Sequence, residues 1–61
     1  MTRDEARELL LAGEILIGGA WTWSLTSMSC GDWNCCSDEF TSVEEALDNI
    51  DMMVGFDDVS V

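Results

Sequence analysis

Apolar and polar residues recur along this chain with two different periods, and the change from one to the other divides it into elements. Ala6, Leu9 and Leu10 lie at helical spacing. Ahead of them, Thr2-Arg3-Asp4-Glu5 has the spacing of a capping box, and Asp4 and Glu5 suit the positive end of a helix dipole. Gly13 is placed to end the helix in a left-handed conformation, so the pattern predicts a first helix over 3–12. Beyond it Ile15, Ile17, Trp21, Trp23 and Leu25 all fall on odd positions, with Thr22, Ser24 and Thr26 between them. Such alternation of apolar, aromatic and β-branched residues means strand. Gly18-Gly19 separates two such runs and supplies a two-residue hairpin turn, the alternative being one long strand with a bulge or bend. Gly31-Asp32 brings turn chemistry, after which Trp33 to Phe40 reads as a third strand. Ser42-Val43-Glu44-Glu45 then repeats the capping-box spacing ahead of an apolar stripe of Val43, Ala46, Leu47, Ile50 and Met53 or Val54, predicting a second helix over 43–53 that closes at Gly55. The expected fold is α+β, one small domain over 1–61 in the order helix, three-stranded antiparallel meander, helix. Residues 56–61 are either a frayed tail or a short added strand.

Length limits what such a fold can do. A 61-residue chain buries only about 60% of the surface it exposes when unfolded, which leaves little room for a deep cleft. Hydrophobic residues at 48%, three of them Trp, still favour a folded domain over a disordered acidic tail. Trp21, Trp23 and Trp33 suit either core packing or an exposed aromatic platform, packing being the better account of at least two of them.

Charge changes the picture most. Thirteen Asp and Glu stand against Arg3 and Arg7, with no Lys and no His, for a net charge of -11. Every carboxylate from Glu8 onward lies in a stretch with no side-chain cation. Direct binding of nucleic acid or of an anionic membrane needs Lys and Arg, so both partners are excluded on charge. No apolar run approaches a membrane span and Met1 opens a polar, acidic segment, so a cytoplasmic protein is expected. A compact chain of this size is roughly 27 Å across. A duplex of that length carries about 16 negative charges, the same order of charge density as the protein.

Catalysis is excluded mostly by subtraction, since there is no His, no Lys, no phosphate loop and no nucleophile motif. No cofactor is implied. Cys30, Cys35 and Cys36 are an odd number, which argues against a complete disulfide framework and for reduced thiols. They also fall short of the four ligands of a structural zinc site, and no stretch follows a calcium-binding loop, so no metal is expected.

The carboxylates serve either solubility or recognition of a basic surface, and the lack of compensating cations after Arg7 favours recognition. The expected contact residues are Glu44, Glu45, Asp48 and Asp51, turned outward on the second helix with no basic residue three or four positions away, together with Asp38 and Glu39 just ahead of it. Asp57, Asp58 and Trp33 complete the candidate set. A very short, intensely acidic α+β chain with Glu44, Glu45, Asp48 and Asp51 on one helix face resembles the phage-encoded anti-CRISPR and anti-restriction inhibitors that mimic DNA. That resemblance implies a non-enzymatic inhibitor acting in the host bacterial cell, whose partner is a basic nucleic-acid-binding protein or complex. It points to the subunit of a Cascade-type complex that reads the protospacer-adjacent motif. The alternative is a structural or interaction module that uses a Trp-bearing sheet face to form a homodimer or a hetero-complex. The chain is expected as a monomer or a homodimer, and the two readings can coexist, since a dimer can display the same acidic surface.

Overall fold

The computed structural model describes residues 1–30 and 37–61. Helix α1 spans Arg3–Leu11, and Thr2 caps it by accepting the Glu5 N–H at its Oγ1 (3.1 Å). It ends where Gly13 takes φ +91°, with the Gly13 and Glu14 amides closing onto the Leu10 and Leu9 carbonyls. Helix α2 spans Val43–Met53 and is capped by Ser42 in the same way. Both helices therefore stand where their capping boxes and apolar stripes put them.

Between the helices lie four strands, one more than the meander expected from the sequence: β1 (Leu16–Gly18), β2 (Trp21–Trp23), β3 (Ser27–Cys30) and β4 (Asp38–Glu39). They form one antiparallel sheet in the order β1-β2-β3-β4. The extra strand arises at a turn without Gly, Pro, Asn or Asp. At Leu25-Thr26 the chain reverses because the Ser24 N–H donates to the Ser27 carbonyl (2.7 Å) while the Ser24 hydroxyl accepts the Ser27 N–H (3.1 Å). The expected Gly31-Asp32 turn, and the third strand as far as Cys36, fall outside the described residues. The end of that strand coincides with β4.

The first hairpin also differs from expectation, turning at Gly19-Ala20 rather than Gly18-Gly19. Register pairs Gly18 with Trp21 and Leu16 with Trp23, and only the first turn residue, Gly19, has positive φ (+61°), the pattern of a type II′ turn. A two-residue turn pairs residues of opposite parity. The inward face is consequently Leu16 and Gly18 on β1 with Trp21 and Trp23 on β2, while Ile15 and Ile17 are exposed.

That face meets both helices in one core. Leu16, Trp23 and Met28 from the sheet pack with Ala6 and Leu10 of α1 and Ala46, Leu47 and Ile50 of α2. Trp23 is wholly buried, and its indole N–H donates to Asn49 Oδ1 on α2 (2.8 Å), which removes the penalty of an unpaired donor. The segment after α2 is neither a frayed tail nor a full added strand, since it docks on the sheet through one isolated antiparallel bridge. A 3-10 turn at Phe56–Asp58 leads Val59 into the core, and Ser60 pairs with Ile17 through two backbone hydrogen bonds (2.7 and 2.9 Å). The N-terminal ammonium holds the same segment, donating to the Phe56 carbonyl (3.0 Å).

Candidate functional site

Strand β4 brings Asp38 and Glu39 to the edge of the sheet, both exposed. One turn of chain later, α2 projects Glu45 and Asp48 toward the same place. These four carboxylates rim a shallow groove of about 350 Å³, whose remaining wall is Phe40, Asn49 and Met52. Of the outward residues expected on the second helix, Glu45 and Asp48 are brought beside Asp38 and Glu39 here. Phe40 is half-buried against the core, while Met52 is 74% exposed.

Glu44 is turned elsewhere, and here the expectation of an unpaired acidic helix face is corrected. Arg3 Nη2 lies 3.1 Å from Glu44 Oε2 and 2.7 Å from Asp48 Oδ1, and Arg7 Nη2 donates to Glu44 Oε1. No cation stands three or four positions away within α2, but packing lays α1 alongside it and supplies both. The Arg7 Nε is buried without a hydrogen-bond partner, so Arg7 engages Glu44 through one nitrogen only.

Glu45 is engaged differently. Its Oε2 accepts the Thr41 backbone N–H and its Oε1 the Thr41 hydroxyl, each at 2.9 Å. The amide first and then the hydroxyl hold the Glu45 carboxyl below the ordinary carboxylate range. Asp51, Asp57 and Asp58 are exposed and lie outside the groove, and Trp33 lies outside the described residues. Of the other two tryptophans, Trp23 is buried and Trp21 is half-buried against the core, so both belong to the packed face.

Sequence reasoning missed Phe40, Asn49 and Met52. Met52 carried a signal, since it is an apolar residue off the stripe formed by Val43, Ala46, Leu47 and Ile50. Asn49 carried none, because its role depends on Trp23, 26 residues away.

Cys30 is disulfide-bonded, which corrects the expectation of reduced thiols at that residue. An odd number of cysteines excludes a complete framework but leaves room for one bridge; Cys35 and Cys36 lie outside the described residues. Among the described residues, no three Cys, Asp or Glu side chains gather into a metal-holding group, and no helix is long and apolar enough to cross a membrane. Compared with known proteins, the chain matches no family model, no curated protein and no solved structure.

Proposed function

We propose that this chain is a non-enzymatic inhibitor that occupies the basic nucleic-acid-binding surface of a bacterial defence complex, acting inside the host cell by presenting carboxylates where the partner expects phosphates. One observation carries the reading: both arginines of a chain with net charge -11 are engaged by its own Glu44 and Asp48. The exposed Asp38, Glu39, Asp51, Asp57 and Asp58 thereby face solvent with no side-chain cation beside them. The dimensions agree with mimicry in scale. The longest extent is 31 Å, a length over which duplex DNA carries about 18 charges. Fields of one sign steer association with a surface of the other and discourage wrong partners. Nothing in this mode of action requires a reacting group, because occupancy alone excludes the nucleic acid.

The test is retention of bacterial lysate proteins on the immobilised chain, with salt steps and duplex DNA as competitor. Nucleic-acid-binding proteins should be retained at low salt and displaced by DNA, their affinity falling about tenfold or more as ionic strength rises from about 0.05 to 0.3 M. Retention that neither salt nor DNA reverses would overturn the reading.

A further inference from the structure

The groove between β4 and α2 combines two properties that an ordinary solvated charge patch lacks. Its rim is anionic, from Asp38, Glu39, Glu45 and Asp48, but its wall is apolar where Phe40 and Met52 meet it. Met52 is the most exposed large apolar side chain among the described residues, and it stands directly beside the carboxylates. A rim residue also already takes a side-chain cation. Asp48 already accepts a guanidinium, the chain's own Arg3, through Oδ1 at 2.7 Å, and its second oxygen retains acceptor capacity. At about 350 Å³, the groove lies at the lower end of the roughly 300–1,000 Å³ range of sites that take small groups, which suits a side chain rather than a duplex or a folded element.

We infer that this groove is the docking point for an arginine side chain, flanked by an apolar residue, that projects from the partner's basic surface. The inference rests on the proposed function and specifies where that contact centres. Charge complementarity selects a cation, and the wall selects arginine over lysine. A guanidinium is planar and weakly hydrated, so it lies against the Phe40 ring and the Met52 thioether while its fork reaches two carboxylates, whereas an ammonium is a compact, strongly hydrated point charge. The flanking apolar residue covers what remains of Met52. Asp51, Asp57 and Asp58 then contribute field rather than contact.

The experiment is an amide-detected NMR titration of the labelled chain at low salt with a capped hexapeptide containing two arginines and two leucines, beside a counterpart with lysines in place of the arginines. Shifts should concentrate on Asp38–Phe40 and on 45–52, with the arginine peptide the tighter. Asp38→Asn with Glu39→Gln should weaken it about tenfold, and Met52→Ala, which leaves the charge unchanged, about threefold. The control Glu8→Gln with Glu14→Gln removes the same charge from exposed positions outside the groove and should weaken it less than about twofold. All these side chains are exposed, and the amide spectrum of each variant verifies its fold. Equal weakening by the control pair, equal affinity for the lysine peptide, silent Met52→Ala, or no binding would each overturn the groove. Lysate proteins displaced by DNA in spite of any of these results would leave the broader acidic-surface reading standing.

Discussion

Gly18 and Gly19 are adjacent, yet the structure asks opposite things of them. Gly19 needs its positive φ, whereas Gly18 needs the absence of a side chain, since a Cβ there would lie 3.0 Å from both Trp23 Cζ3 and Val54 Cγ2. Gly18→Ala should therefore lose about 1–3 kcal/mol by overpacking, and Gly19→Ala about 1–2 kcal/mol by strain. Urea denaturation of the two variants measures both, and a silent Gly18→Ala would mean that β1 gives way easily. The sequence showed that a turn lay at this pair but not which residue began it. Ile15, Ile17, Trp21 and Trp23 share odd numbering, and a two-residue turn cannot put odd positions from both strands on one face. Leu16, the even-numbered residue in that run, proved to be the buried one. Glu45 has a residue-scale consequence for pH. Its carboxyl is held low by the Thr41 amide and hydroxyl, so the stability it contributes is fully present above its unfolded pKa and is lost as pH falls through the depressed folded value. Thr41→Val removes the hydroxyl and keeps the amide, and should move the Glu45 titration part of the way back up, as followed by carboxyl NMR.

Helices were more legible than strands because their signals are local. Thr2 and Ser42 cap from the positions their spacing indicated, and α2 has the predicted bounds. The local surprise lies in the returning arm of each capping box: the Glu45 side chain reaches back to Thr41 rather than to the Ser42 amide, and Glu5 meets the Thr2 hydroxyl rather than its amide. The turn between β2 and β3 was not legible, because Ser24 and Ser27 close it with hydroxyl and backbone bonds, and Ser marks a turn more weakly than Gly, Pro, Asn or Asp does. Nor was the clasp of Arg3 and Arg7 onto α2, which joins positions 37 to 45 residues apart. The candidate groove was half legible: its carboxylates follow from sequence proximity and helical phase, but its wall depends on tertiary packing. The final segment illustrates the same division. Nothing local distinguishes Val59 from a tail residue, yet it is 5% exposed and touches the space above Gly18. Deleting 59–61 should cost about 2–4 kcal/mol, from the lost burial of one valine and two hydrogen bonds to Ile17. A loss below about 1 kcal/mol in chemical denaturation would show that the bridged segment is only loosely attached.

At the scale of the whole molecule, the ion pairs and the net charge pull in opposite directions. The three Arg–carboxylate contacts involve side chains that are 38–72% exposed, and exposed pairs contribute about 0–1 kcal/mol each. Repulsion among the uncompensated carboxylates extends over a molecule with a radius of gyration of 10.3 Å, comparable with the Debye length of about 8–10 Å at ordinary ionic strength. Salt should therefore stabilise this protein. Relief of about 1 kcal/mol corresponds to a rise of about 4–8 °C in Tm for a domain of this size, and a fall in Tm on adding salt would mean that the clasp outweighs the repulsion. The clasp also decides which substitutions are clean probes of partner binding. Lysine at Glu44 would face Arg3 and Arg7 at close range, so loss of binding there would be confounded with loss of helix packing, whereas Asp38 and Glu39 have no such entanglement. The two borders of the sheet have a further consequence. Ser60 occupies the outer side of β1 at Ile17, and the opposite border, β4, is two residues long and both are acidic. Fibril growth recruits strands onto a long, uncharged row of free amides, and among the described residues neither border offers one. Release of the C-terminal segment, rather than the folded state itself, is the event that would open a route to polymerisation.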